Sequence, residues 1–92
     1  MTDRRYELTI APTAKTQLAE QLPESVAFAA LRFIVGPLLD NPRRVGKLLR
    51  PPLNDRYSAR RGTYRVLYRI DDERQQVTVV GVFSRTDVYC RR

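Results

Sequence analysis

The chain has 92 residues, enough for one hydrophobic core but not two, so we expect a single domain over residues 1–92. Basic residues number 17 and acidic residues 10, giving a net charge of +7, and 15 of the basic residues are arginine. The chain has no histidine and one cysteine, which excludes a histidine-based zinc site, a Ser-His-Asp triad and a disulfide framework within it.

Localisation can also be predicted from the sequence. The first residues, Met1–Arg5, lead into no apolar run, so we expect no secretion signal. The longest apolar stretch, Val26–Leu31, is far shorter than the ~20 residues that a membrane-spanning helix needs. A chain with one cysteine does not depend on an oxidising compartment. We therefore expect a cytoplasmic protein that has an anionic partner and no membrane partner.

The first third of the chain predicts one strand and two helices. Alternating apolar and polar residues predict a half-buried strand whose inward side chains are Tyr6, Leu8 and Ile10. Thr13 is placed to cap a short helix over residues 14–22. Pro23 suits the first turn of a second helix, which kinks or ends at Gly36-Pro37. Its apolar stripe consists of Val26, Ala27, Ala30, Leu31 and Ile34.

The second half predicts an arm followed by three strands. Residues 41–52 form an arm rich in proline, glycine and basic residues, with Leu48 and Leu49 as its anchors. The three strands are predicted at 56–61, 64–70 and 77–83. Hairpin turns at 62–63 and 71–74 connect them. In the middle strand, one predicted face carries Tyr64, Val66, Tyr68 and Ile70, and the other carries Arg65, Leu67 and Arg69.

Short connections favour an antiparallel meander to which the first strand is added. We therefore predict an α+β fold in the order β-α-α-β-β-β, with two antiparallel helices packed on a small, mainly antiparallel sheet. The acidic run at residues 71–73 lies in a hairpin turn, so we interpret its carboxylates as turn formers rather than metal ligands. We expect no metal site and no cofactor.

The positive charge is concentrated on the arm and the first hairpin. Residues 41–69 contain nine basic residues and one acid, a net charge of +8, whereas the remainder has eight basic and nine acidic residues and nets −1. A solvated basic face is one interpretation of such a run. Interleaving with Tyr57, Tyr64 and Tyr68 favours another, in which arginines pair with phosphates and aromatic rings stack on bases.

The helical region gives no indication of a DNA-reading helix. Residues 14–36 are nearly uncharged, and the second predicted helix offers only Arg32. Binding through the sheet and the arm suits single-stranded or structured RNA better than duplex DNA. The predicted RNA- or ribosome-binding residues are Arg43, Arg44, Lys47, Arg50, Arg56, Arg61 and Arg69.

Three sequence blocks carry a family resemblance. The run from Gly62 to Asp72 (GTYRVLYRIDD), the preceding PRRVGKLLR block at 42–50, and an Arg-x-x-x-Tyr pattern formed by Arg85 and Tyr89 strongly resemble the RelE toxins of bacterial toxin–antitoxin pairs. The resemblance covers almost the whole chain and includes the predicted order of elements. It implies a ribosome-dependent endoribonuclease that cuts mRNA in the ribosomal A site without a metal ion and is neutralised by a RelB-like antitoxin in a hetero-oligomer.

The resemblance also implies roles for individual residues. Arg65 matches the arginine that holds the scissile phosphate, and Arg60 lies near a basic position of the preceding strand. Arg85 matches an arginine that assists the leaving oxygen or stabilises the transition state. Tyr89 matches the tyrosine that orients or activates the 2′-hydroxyl, so residues 85–92 form a functional tail. Ser58 falls where some members have a catalytic lysine, which leaves the acid–base assignment open among Lys47, Arg60 and Arg61.

Two other functions remain open at this point. A ParE-like inhibitor of DNA gyrase resembles the same fold and central strand, but its tail usually lacks the Arg85 and Tyr89 positions. A passive RNA-binding module would account for the charge and leave the tail unexplained.

Catalysis without histidine is chemically reasonable, because arginines stabilise a phosphorane. A tyrosine with an ordinary pKa near 10 would still need cationic neighbours to act as a base.

Overall fold

A computed structural model describes residues 5–84. Its five strands are β1 (Glu7–Ile10), β2 (Lys47–Leu48), β3 (Tyr57–Arg61), β4 (Tyr64–Asp71) and β5 (Gln76–Ser84). They form one sheet in the order β1-β5-β4-β3-β2, in which β1 is parallel to β5 and the other neighbours are antiparallel. The α+β class, the meander and the added first strand are as predicted, while β2 is a further short strand within the predicted arm.

Two long helical segments cross one face of the sheet. The first is α1 (Pro12–Thr16), which continues into a wider π-helical turn at Gln17–Gln21; the second is α2 (Glu24–Phe33), which continues into another at Ile34–Leu38. Pro37 lies inside the latter turn, so the kink predicted at Gly36-Pro37 takes the form of a widened turn without ending the helix. A third helix, α3 (Pro42–Val45), occupies the start of the arm. None of the helices within residues 5–84 is long and apolar enough to cross a membrane.

Two details of the helical prediction are wrong. The residue at the N-cap of α1 is Ala11, and Thr13 lies one residue inside the helix, because Pro12 lacks an N–H and occupies the first position without losing a hydrogen bond. Leu31 of the predicted apolar stripe is 38% exposed, and Phe33 is buried in its place. The exposed side of α2 and of the turn that follows it therefore carries a second apolar set, formed by Phe28, Leu31 and Val35.

The core lies between the helices and the sheet. One buried cluster joins Ile34 and Leu38 of the second helical segment to strand residues that are equally buried: Val66 and Tyr68 of β4, and Val77, Val79 and Val82 of β5. Ala14 and Ala30 are also fully buried, and their small side chains let the helices approach the strands closely. The predicted faces of β4 are confirmed, since Val66 and Tyr68 are buried while Arg65 and Arg69 are exposed.

A β-bulge in β5 reverses the alternation of its side chains. Leu67 pairs with Gly81 and Tyr68 with Val79, so Val80 is an extra residue without a partner on β4. Val77 and Val79 face the core before the bulge, and Val82 and Ser84 face it afterwards. The buried Gln17 side chain accepts a hydrogen bond from the Val82 N–H at 2.7 Å. As a result, Phe83 lies on the face of the sheet that the helices do not cover.

The arm is held down differently from the prediction. Leu48 is 53% exposed and is not an anchor. The buried hydroxyl of Tyr68 instead donates a hydrogen bond to the Pro42 carbonyl at 2.5 Å. Gly46 passes so close to the sheet that an added Cβ would collide with the Tyr68 hydroxyl and lie 2.9 Å from the Ser58 carbonyl oxygen. Only glycine therefore lets the arm lie this close to β3 and β4.

Candidate nucleic-acid interface

A basic groove runs along the β2 edge of the sheet, between the arm and β3. It encloses about 620 Å³ and is open to solvent. Five of its ten lining residues are basic and none is acidic: Arg44, Val45, Gly46, Lys47, Leu48, Leu49, Arg50, Ser58, Arg60 and Arg61. The groove thus brings together residues from the arm and from β3 that are far apart in the sequence, and its charge suits an anion.

The uncovered side of the sheet, which we call the outer face, continues this charge. Lys47 pairs with Ser58 across β2 and β3, and Arg60 pairs directly with Arg65 across β3 and β4. Directly opposed residues have Cβ atoms about 5 Å apart, and like charges in such positions destabilise a sheet. The sheet carries the Arg60–Arg65 pair nonetheless, and an anion between the two guanidinium groups would relieve the repulsion.

The basic residues of this region fall into an unpaired and a paired group. Within residues 5–84, the unpaired group makes no ion pair and no side-chain hydrogen bond; it consists of Arg44, Lys47, Arg50, Arg60 and Arg65. The paired group has carboxylate partners and consists of Arg43, Arg56 and Arg69. Every unpaired cation lies in the groove or on the outer face, where it can bind phosphate without first breaking an internal contact.

Arg43 does not line the groove but binds the carboxylate of Asp72. Its guanidinium donates to both carboxylate oxygens of Asp72, at 2.8 and 2.5 Å, and the Tyr6 hydroxyl donates to the same carboxylate at 2.9 Å. The hydrogen bonds from Arg43 and then Tyr6 lower the pKa of Asp72 to about 2, and the pairing raises the pKa of Arg43 above its ordinary value. Arg43 therefore ties α3 to the β4–β5 turn.

The acidic turn has more than one role. Asp71 accepts a hydrogen bond from the Arg74 N–H at 3.2 Å, as predicted for a turn former. The sequence predicts the same role for Asp72, but Asp72 is the partner of Arg43 across 29 residues. No local pattern in the sequence indicates this pairing, because it depends on where α3 packs. No group of three or more Cys, Asp or Glu suited to a metal occurs in the part of the chain that is described.

Arg56, Arg69 and Arg61 make internal contacts that are weaker than the contact of Arg43 with Asp72. Asp55 lies 3.7 Å from the Arg56 guanidinium and 4.0 Å from that of Arg69, and all these side chains are at least 38% exposed. Ion pairs this exposed contribute at most about 1 kcal/mol, so a phosphate could replace Asp55. The Arg61 guanidinium lies over the Phe33 ring, 4.8 Å from its centre, while still lining the groove.

The tyrosines interleaved with the arginines do not form a base-stacking surface. Tyr68 is fully buried and stacks on Tyr57, with ring centres 5.7 Å apart. Tyr64 is half-buried, lies against Phe33 and donates to the Ala29 carbonyl at 3.3 Å. Burial raises the pKa of both Tyr64 and Tyr68, which makes neither a general base. All three belong to the core-facing side, so the stacking role predicted for them is wrong.

The described part of the site presents cations that suit an anion but supplies no evident base. Ser58 lies in the groove opposite Lys47, where its hydroxyl is a poor proton acceptor. The groove contributes cations and no carboxylate. Arg85 and Tyr89, predicted to complete the catalytic site, lie outside the described residues. Their assignment, like that of Arg60 and Arg65, stays a prediction.

Comparisons with known proteins agree with this architecture. A family model described as the ParE toxin of the type II toxin–antitoxin system parDE matches residues 8–89. Toxin RelE from Mycobacterium tuberculosis is 45% identical over 87 residues, which are 95% of this chain and 89% of that relative.

Two solved structures extend the comparison to the fold. The RelBE toxin–antitoxin complex from M. tuberculosis contains a chain that is 44% identical, with a TM-score of 0.85, covering 88% of this chain and 99% of that one. The isolated E. coli RelE toxin is 28% identical, with a TM-score of 0.70, covering 91% and 90% of the two chains.

Proposed function

The chain belongs to the RelE/ParE superfamily of type II toxins, and from that premise we propose that it is a ribosome-dependent endoribonuclease that cleaves mRNA in the A site. The observation that carries this proposal is the unpaired group, five cations gathered around the groove and the outer face. Such cations match an RNA backbone in charge. A ribosomal target also implies action in the cytoplasm.

The proposed chemistry is attack by a ribose 2′-oxygen on the adjacent phosphorus. The 2′-hydroxyl loses its proton, the P–O5′ bond breaks, and a proton is delivered to the departing 5′-oxygen, leaving a 2′,3′-cyclic phosphate and a 5′-hydroxyl. Arg60 and Arg65 hold the phosphate and stabilise the phosphorane charge through charge-assisted hydrogen bonds, so no metal ion is required. Tyr89 orients or activates the 2′-hydroxyl, and Arg85 assists the leaving oxygen, as the family resemblance implies.

The ribosome supplies what this arrangement lacks. A phenol or a guanidinium is a weak proton carrier near neutral pH, so a free chain should cleave slowly. A host that holds the mRNA backbone in line for attack would supply positioning worth several powers of ten in rate. Cleavage would therefore depend on the ribosome, while the groove would still bind RNA on its own.

A RelB-like antitoxin is the second proposed partner. Support comes from the similar chain in the M. tuberculosis structure, which is a toxin–antitoxin complex. A segment that neutralises a region of charge +8 should be acidic or amphipathic and should cover the groove in a hetero-oligomer. Titrating the antitoxin into a cleavage assay should restore translation; continued cleavage at saturation would contradict this partnership.

The match to a family model named for ParE favours one alternative, a non-catalytic inhibitor of DNA gyrase. Cell-free translation of a defined mRNA, followed by primer extension, separates the two functions. Codon-periodic cuts that disappear in Arg85→Ala and Tyr89→Phe are the expected result. Intact mRNA together with gyrase–DNA breaks would favour the alternative, and RNA binding with neither effect would leave a passive RNA-binding module.

A further inference from the structure

Phe83 is a large apolar side chain left exposed on the outer face. It is 38% exposed and lies directly opposite Arg65 in the β4–β5 register, while Arg65 in turn lies opposite Arg60. The three residues therefore form one row across the sheet, with two guanidinium groups followed by an aromatic ring. Neighbouring strands are about 4.8 Å apart, so adjacent members of the row can contact one nucleotide.

The ring is turned to this face by the bulge. Strict alternation from Val77 and Val79 would bury Phe83 among the helices and expose Val82. The extra residue Val80 reverses this, since Val82 is buried and Phe83 is not. Bulges often redirect a side chain beside a functional site, and here the side chain redirected is an aromatic one beside two unpaired arginines.

Gly81 makes room for the ring to lie along its own strand. A Cβ at Gly81 would be 2.9 Å from Cε2 and 3.0 Å from Cζ of Phe83, so the ring occupies the space above the glycine backbone. Glycine in a strand interior weakens the strand relative to alanine, and it commonly marks a close approach. In this position Phe83 remains 38% exposed, so part of the ring is accessible to a flat ligand.

We infer that the Phe83 ring, seated over Gly81, is a stacking platform for the nucleobase of the nucleotide whose phosphate Arg60 and Arg65 hold. This inference rests on the proposed function and adds a base subsite to it. Stacking on an aromatic ring tolerates every base, because each base has a π-face. The platform would therefore position RNA without selecting its sequence, whereas the arginines would hold the backbone.

The test uses the full chain and two uncleavable probes of equal length and charge. One is a 2′-O-methylated single-stranded RNA, and the other is a tetrahydrofuran-phosphate chain that has no bases. Phe83→Ala should weaken binding of the RNA about tenfold and leave binding of the base-free chain unchanged. Phe28→Ala is the matched control, because it removes an even more exposed ring from α2 (62% against 38% for Phe83), and it should change neither.

A second readout detects stacking directly. The chain has no tryptophan, so Phe83→Trp introduces a single indole whose fluorescence the RNA should quench and the base-free chain should not. Phe28→Trp should respond to neither probe. Gly81→Ala, which displaces the ring but keeps it, should reduce RNA affinity in the same direction as Phe83→Ala.

The outcomes distinguish this subsite from the proposed function. Suppose that Arg65→Ala weakens the binding of both probes. If Phe83→Ala then weakens the binding of neither probe, or weakens the binding of both equally, the platform is wrong and the RNA-binding groove stands. If the unmodified protein binds neither probe, the proposed RNA function fails and the platform fails with it. Failure of RNA to quench the introduced indole, despite measurable binding, would also overturn the platform.

Discussion

The two faces of the sheet differ in what surrounds their polar and aromatic side chains. On the covered face, Tyr68 and Tyr64 are enclosed and their hydroxyls donate to backbone carbonyls of the arm and of α2. On the outer face, Arg60, Arg65 and Phe83 have exposed side chains, and neither arginine has an internal partner among the residues described. Aromatic and basic residues in a sequence therefore do not predict a binding surface by themselves, because their role depends on which face of the sheet they occupy.

The largest effect should come from removing an outer-face cation at the predicted reaction centre. Arg65→Ala is expected to lower the rate of mRNA cleavage about 10²- to 10³-fold, because a stabilising donor to the phosphorane is lost. Primer extension after cell-free translation measures the rate. The control is Arg74→Ala, which removes an exposed arginine of the β4–β5 turn that pairs only weakly with Asp71, 3.9 Å away. Equal losses in both variants would contradict a special role for Arg65.

The corresponding change on the covered face should affect stability first. Tyr68→Phe leaves the Pro42 carbonyl without its donor in a buried position, so the free energy of unfolding should fall by about 1–3 kcal/mol. Urea denaturation followed by circular dichroism measures it. Tyr64→Phe, whose longer hydrogen bond comes from a half-buried ring, should cost less. A reversed order would show that the arm is not held mainly through Tyr68.

Salt should separate the unpaired from the paired cations. The logarithm of RNA affinity should fall with the logarithm of salt concentration by about 0.7 for each phosphate neutralised on a single strand. Arg44→Ala and Arg50→Ala should each reduce that slope by about 0.7, while Arg43→Ala should leave it nearly unchanged because Arg43 is bound to Asp72. Fluorescence anisotropy over a salt series measures the slopes, and a flat response would exclude phosphate contacts.

The smallest expected effect is a loss of thermal stability at acidic pH, when protonation of Asp72 removes the Arg43–Asp72 contact. The pKa of Asp72 is lowered to about 2 from the ordinary 3.8, so folding favours its charged form. Its contribution to stability is complete above about pH 4 and is lost as the pH falls through about 2. Asp72→Asn should flatten this part of the pH dependence of thermal unfolding. Glu73→Gln in the same turn should retain the unmodified profile; if both profiles match, Asp72 is not the titrating group.

Local patterns predicted most of the fold. The alternation of Tyr64–Ile70 and the turn at Gly62 indicated the central hairpin and its two faces, and the structure confirms both. The errors occur where contacts between distant segments decide the outcome. The arm approaches the sheet at Gly46, which lies against Tyr68, while Leu48 is exposed, and no periodicity in the arm indicates this.

The site was only partly predictable for the same reason. Charge concentration points to basic residues that the structure gathers in one groove, from Arg44 to Arg61, and their role in binding stays a prediction. Pairing with carboxylates is not visible there, so Arg43 could not be distinguished from Arg44. The outward position of Phe83 could not be predicted, because a bulge changes the phase of a strand by one residue and a run of valines gives no indication of where the phase changes.

The short β2 strand has a consequence for the behaviour of the protein in solution. A sheet edge with unpaired backbone groups can recruit another chain, and natural proteins protect such edges with short strands and charged residues. Here the edge strand has only two residues, Lys47 and Leu48, and cations surround it. Repulsion between copies should therefore keep the molecules apart at high concentration. Neutralising the whole groove at once should produce a protein that self-associates, so single substitutions are the safer route to an inactive but monomeric variant.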